Sequence, residues 1–209
     1  MSYPTVMVRL LEGSMVGEED SLNVNRCEFD EWKKDRKTIV SRLNVTESFL
    51  MIKLRSANLN DIDFILTQEN RDEFKDLIIC WSREEHSRNL HSPDKHYLII
   101  ENSSGETQGY VILSGLQSPN RSIELTRIIV AEPGLGYGKR ALRMILKKVF
   151  EEYNAHRCWL DVFEHNQRAR HVYQSVGFQE EGVLREALRQ KDKYSSLVIM
   201  SILENEYFY

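Results

Sequence analysis

Three alternating glycines and two cations stand together in Gly134-Leu135-Gly136-Tyr137-Gly138-Lys139-Arg140. The run follows the apolar triplet Ile128-Ile129-Val130. It opens an amphipathic pattern that puts Ala141, Leu142, Ile145, Leu146, Val149 and Phe150 on one face. A strand that passes through such a turn into a helix gathers backbone N–H groups and the positive end of the helix dipole at one point. That is the chemistry of a phosphate cradle. Arg143 adds positive charge nearby. A nucleoside-triphosphate loop needs glycine at 133 and Ser or Thr at 140, where this chain has Pro133 and Arg140. A dinucleotide fingerprint needs glycine at 139, and Lys139 stands there. On this run alone, an ordinary glycine-rich strand–helix turn remains open.

A second constellation lies downstream. Residues 166–182 read Asn166-Gln167-Arg168-Ala169-Arg170-His171-Val172-Tyr173-Gln174-Ser175-Val176-Gly177-Phe178-Gln179-Glu180-Glu181-Gly182. This resembles the Asn-x-x-Ala-x-x-x-Tyr-x-x-x-Gly-Phe-x-x-Glu-Gly signature of the GNAT acetyltransferases, one helix and one strand after their Gly-x-Gly-x-Gly pyrophosphate loop. The closing segment, 194–203, is similar to the last strand of the branch that acts on ribosomal proteins and spermidine. The resemblance covers about 51–209 and is strongest over 121–204. One departure is the short link Ala131-Glu132-Pro133, in which Pro133 replaces the family's frequent Gln or Arg.

The resemblance implies an α/β (α+β) GNAT fold. Its mixed central sheet has about six to seven strands with a splayed central pair, flanked by about four helices. It implies acetyl-CoA as acetyl donor, no metal, and an amine acceptor. Gly134, Leu135, Gly136, Tyr137, Gly138 and Lys139 would meet the pyrophosphate. The free backbone edge of 126–130, including Ile128, Ile129 and Val130, would bond the pantetheine amides as an added strand does. Asn166 would bond the same arm, and Arg168 and Arg170 are candidates for phosphate contact or for a solvated helix face.

Amide synthesis sets two proton problems. A primary amine near pKa 10 is free base to roughly one part in a thousand at neutral pH. A carboxylate beside it, acting directly or through water, relieves that. Glu124 is the candidate base, on the strand entering the loop; strict alternation would put Glu124, Thr126 and Ile128 on one face. An exposed strand carboxylate is the competing reading. Tyr173 occupies the acid position of the signature, where a phenol can protonate a departing thiolate. A packed helical tyrosine is its bland alternative. A backbone N–H near Ile129 or Val130 would face the oxyanion.

The 209 residues carry a net charge of −4, which excludes a general nucleic-acid binder and leaves a cationic substrate open. No apolar run reaches membrane length. Cys27, Cys80 and Cys158 and the six histidines lack metal-ligand spacing. These features favour a reduced, cytoplasmic protein. Residues 1–50 read as an N-terminal extension. It is either a peripheral helix over 26–43 or an upstream segment joined by a misassigned start, and the second is the expectation. Residues 51–209 read as the acetyltransferase domain.

The elements that must position the site follow from periodicity. Asn58 or Asn60 caps a helix bearing Ile62, Phe64, Ile65 and Leu66. A helical stretch spans 71–90 with a break near Trp81-Ser82, and Ser82 with Glu85 makes a capping box. Asp72, Glu73, Trp81, Glu84, Glu85 and His86 read as solvated helix surface before they read as an acceptor pocket. Strands are expected at 97–101, 109–115, 122–130, 156–163, 178–188 and 194–203, and helices at 137–153 and 166–176. Trp159 and Phe163 share a face and read as core. The function these readings favour is transfer of acetyl to a protein N-terminus or polyamine by direct attack in a ternary complex. An idle acyl-CoA-binding module, and an enzyme for amino acids or aminoglycosides, stay as alternatives. A homodimer is implied by family likeness alone.

Overall fold

The computed structural model describes residues 51–74, 77–132, 134–190 and 192–208. The expectations for residues 1–50, and those resting on Pro133, lie outside the described residues. Seven strands form one sheet in the order β1-β2-β3-β4-β5-β7-β6. They are β1 (Ile52–Ser56), β2 (Lys95–Asn102), β3 (Thr107–Ser114), β4 (Ser122–Val130), β5 (Arg157–Phe163), β6 (Gln179–Gln190) and β7 (Lys193–Leu203). Neighbours pair antiparallel except β4 and β5, which run parallel. A parallel pair needs a crossover connection. Here it is α3 (Tyr137–Lys147), followed by one wider turn over Lys148–Glu152.

Both faces of the sheet are covered. On one, Ala141, Leu142, Ile145 and Leu146 of α3 pack on Leu98, Val111, Ile123 and Leu160, with Ala169, Val172 and Tyr173 of α4 (Gln167–Gln174) at the side. This apolar stripe is the one its spacing predicts. On the other, Ile65 of α1 (Ile62–Glu69) meets Tyr97, Ile99, Tyr110, Ile112 and Ile129, beside Leu90 of α2 (Arg83–Leu90). A last short helix, α5 (Glu204–Phe208), stacks Tyr207 on Phe150. With it the described residues hold five helices, one more than expected.

The element between α1 and α2 departs from expectation. No continuous helix spans 71–90. A single 3-10 turn at Asp72–Phe74 precedes an irregular stretch, and α2 begins only at Arg83. Ser82 is extended at its N-cap, and its side chain and that of Glu85 cap each other, as the sequence indicates. Asn58 caps a 3-10 turn at Leu59–Asp61 that leads into α1.

A β-bulge decides the geometry of β4. Ile112 pairs with Arg127 and Leu113 with Leu125, so Thr126 is the extra residue. Alternation is broken there. Ile123, Leu125 and Ile128 belong to the α3 side, while Arg127 and Ile129 turn to the α1 side. The expected common face of Glu124, Thr126 and Ile128 is therefore corrected. Glu124 and Thr126 share the α1 side, and Ile128 points the other way.

Candidate active site

β4 and β5 hold together only at their start, where Ser122, Ile123 and Glu124 face Arg157, Cys158 and Trp159. Beyond that the two strands diverge. The splay opens a cavity of about 680 Å³ between α3, α4 and the stretch before α2. Its walls bring together Glu124, Ile128, Ile129, Val130, Gly134, Gly136, Tyr137, Gly138, Lys139, Asn166, Arg168 and Tyr173, all expected at the site. Leu135 is exposed and stands off the wall.

One end of the cavity is built for an anion. Gly134 (φ 98°) and Gly136 (φ 79°) occupy the left-handed region that glycine enters without cost, with open space where a side chain would stand. Gly136 is the N-cap of α3; no side chain caps that terminus and no acidic residue sits in its first turn. The edge of β4 continues the site. Ala131 N–H donates to Gln108 C=O on the β3 side at 2.7 Å. By alternation Ile128 and Val130 turn their N–H groups toward the splay, and Ile129 is committed to β3. Of the two N–H groups considered at the sequence level, Val130's is the one that faces the splay. Asn166 caps α4 by accepting from Ala169 N–H at 3.1 Å, which leaves its amide NH₂ as the donating end. Arg168 is exposed at the cavity rim. Arg170 forks onto Glu180 at 2.9 Å and donates to Glu164 C=O, so its phosphate role is dropped.

Charged groups gather at the other end. Glu124 and Asp161 stand on the two diverging strands and on one face, since Asp161 follows Trp159 by two. Burial raises the Glu124 carboxyl above the usual range, and the Asp161 charge adds to that; Lys95 and a hydrogen bond from Thr126 pull it back. Asp161 is open to the cavity, and desolvation by the cavity walls raises its carboxyl as well. The Tyr173 phenol is pushed up to about 12, first by burial and then by Asp161. It therefore holds its proton at neutral pH. Asp161 escaped the sequence reading, although the alternation of buried Cys158, Leu160 and Val162 leaves it on the face of Trp159 and Phe163. Phe163 is buried there as expected, and Trp159 only half so.

Residues 62–178 match the family described as "Acetyltransferase (GNAT) family". The chain belongs to that family. It is an acetyl-CoA-dependent N-acetyltransferase. It is 26% identical over 167 residues to spermidine N(1)-acetyltransferase of Vibrio cholerae, covering 75% of this chain and 95% of the relative. It is 31% identical over 104 residues to the putative ribosomal N-acetyltransferase YdaF of Bacillus subtilis, covering 49% of this chain and 57% of that one. The crystal structure of spermidine N-acetyltransferase from Vibrio cholerae in complex with CoA and spermine superposes with a TM-score of 0.69 at 26% identity, over 76% of this chain and 98% of the other. Both branches named by the resemblance are thus among the relatives.

One wall of the acetyltransferase's cavity hangs on a buried ionic cluster that sequence reading missed. Glu69, at the end of α1, is fully buried. Its Oε1 accepts from Tyr110 OH at 2.6 Å and from Arg127, and His86 Nε2 stands 3.2 Å away. Its Oε2 accepts from Trp81 N–H at 3.1 Å. Arg127 also donates to Ile79 C=O at 2.5 Å and lies over the Trp81 ring at 4.5 Å. The irregular stretch 77–82 is tied to the bulge through these bonds, and Phe74, Leu77, Ile78, Ile79 and Trp81 form the wall. His86 is buried, not solvated as expected, and bonds Tyr97 OH at 3.2 Å. Glu73 and Trp81 line the cavity, which also corrects their surface reading. Burial pushes the Glu69 carboxyl up, but His86, Arg127 and Tyr110 outweigh it and hold it below its ordinary value. Among the described residues no group of three or more His, Cys, Asp or Glu side chains is arranged to hold a metal, and no helix is long and apolar enough to cross a membrane.

Proposed function

We propose that the enzyme acetylates a polyamine by direct attack of a primary amine in a ternary complex. The observation that carries this reading is the two-ended cavity. Backbone amides and Lys139 mark one end, and Glu124 and Asp161 supply negative charge along the rest, with Glu73, paired to Arg71 at 2.7 Å, at the wall. Focused negative potential draws a polycation and holds its ammonium group.

Bound acetyl-CoA supplies an acetyl group activated as a thioester. Gly134 and the amides of 136–139 fit its pyrophosphate, and the edge of β4 with Asn166 fits the pantetheine amides. Glu124 takes the proton of the acceptor ammonium. Its raised pKa brings it closer to neutrality, where a base works best. Val130 N–H points into the splay to donate to an acyl oxygen. Tyr173 gives a proton toward the departing sulfur. Asp161 serves both partners, because its charge favours the proton on Tyr173 and makes Glu124 more basic.

The test is thiol release from acetyl-CoA with spermidine, spermine, a peptide α-amine, free amino acids and an aminoglycoside. The highest kcat/KM is expected with a polyamine. Preference for the peptide would move the acceptor to the protein N-terminus. No release with any amine would leave an idle acyl-CoA-binding module.

A further inference from the structure

Glu124 is the last member of a row that crosses three strands. Lys95 on β2 donates from Nζ to Ser114 Oγ on β3 at 2.8 Å. Ser114 Oγ lies 2.7 Å from Thr126 Oγ1 on β4. Thr126, which the bulge puts on the face of Glu124, is the hydroxyl next to that carboxylate. Register produces the row. Lys95 is opposite Ser114, Ser114 is opposite Glu124, and the bulge puts Thr126 on that same face.

The chemistry of the two ends sets its direction. An ammonium can only donate and a carboxylate can only accept. Ser114 Oγ therefore accepts from Lys95 and offers its own hydrogen to Thr126. Thr126 accepts that hydrogen and offers its own to Glu124. The Lys95 ammonium also lies over the Trp81 ring, 5.7 Å from its centroid. Ser114 is buried.

We propose that Lys95, Ser114 and Thr126 form a one-way hydrogen-bond chain that orients the Glu124 carboxylate toward the acceptor amine and keeps it in its proton-accepting form. The three are positioning residues, and their role rests on the reading of Glu124 as the base. The charged and titratable groups facing Glu124 are Asp161 from β5 and Lys95 from β2. Glu73 and Tyr173 share its cavity from the stretch before α2 and from α4, and neighbouring Arg127 is engaged by Glu69.

The pH profile of kcat/KM for spermidine tests this on the full-length enzyme. When the ammonium binds and Glu124 takes its proton, log kcat/KM is flat above the pKa of Glu124 and falls with a slope of about one below it. Lys95→Met and Thr126→Val are expected to move that break about one pH unit higher, a tenfold loss on the acid side. Thr126→Ser restores the hydroxyl and should return the break to its wild-type position. The KM for acetyl-CoA should stay within about twofold in all three, with folding checked by thermal melts. Should Thr126→Val fail to fold, Lys95→Met and Ser114→Ala carry the same test. An unmoved break in those variants, while Glu124→Gln abolishes it, overturns the chain and spares the base. A break that survives in Glu124→Gln overturns the base, and the chain with it.

Discussion

Arg127→Met is expected to be the most damaging single change away from the reacting atoms. It removes the cation that faces fully buried Glu69, the bond to Ile79 C=O at 2.5 Å and the stacking on Trp81 at 4.5 Å. Methionine roughly preserves the volume, so the cost comes from a buried carboxylate that keeps Tyr110, Trp81 N–H and His86 but loses its permanent cation. Breaking one partner of a buried pair costs about 3–5 kcal/mol. For a domain of this size each kcal/mol lowers Tm by about 2–4 °C, so the melt should fall by roughly 6–20 °C. The loss has a definite pH dependence. In the wild type Glu69 is held below its unfolded value, so its contribution is present above that value and fades as pH falls through the folded one. Without Arg127 the balance shifts toward burial, the carboxyl rises, and its charge becomes a liability at higher pH. The destabilisation should thus be larger at pH 8 than at pH 5. Adding Glu69→Gln to Arg127→Met should recover part of it, since the orphan charge is gone. Denaturant or thermal unfolding of the four proteins of this cycle, at both pH values, measures all of these. A Tm within about 2 °C of wild type, or a loss with the same size at both pH values, would refute the reasoning.

Tyr173→Phe is expected to lower kcat by about 10²–10³-fold with acetyl-CoA affinity unchanged, read by steady-state kinetics and calorimetry, because the phenol is a donor with no replacement. Asp161→Asn removes a charge that raises Glu124, so the acid break in kcat/KM should move to lower pH; a shift upward would exclude the assigned coupling. Gly136→Ala forces a side chain onto φ 79° at the N-cap of α3, a strain of about 1–2 kcal/mol, and should weaken CoA binding in calorimetry more than it weakens the acceptor KM.

The parts of the site that were legible in the sequence are those whose residues are neighbours in the chain. The glycine run sits within one turn, and the Asn166-to-Gly182 signature runs without interruption through α4 into the start of β6, so their spacing already fixes their geometry. Glu69, His86 and Arg127 were not legible because they meet across separations of 17, 41 and 58 residues, with burial their only common feature. Glu69 and His86 also look like surface charge in a polar helical pattern. The misreading of β4 has a more instructive cause. Alternation is a reliable rule only while each residue has one partner, and a single unpaired residue at Thr126 reverses it for everything that follows. That one insertion turns Arg127 toward Glu69 and so anchors the acceptor wall. It also leaves Thr126 beside Glu124, at the end of the Lys95–Ser114 row. A strictly alternating β4 would send Ile128 to the α1 side and Arg127 into the apolar layer under α3. There the cation would have neither Glu69 nor Trp81 to meet. The bulge is therefore what allows one strand to serve the three tasks proposed for it: an open edge for the donor, a base for the acceptor, and an anchor for the wall between them.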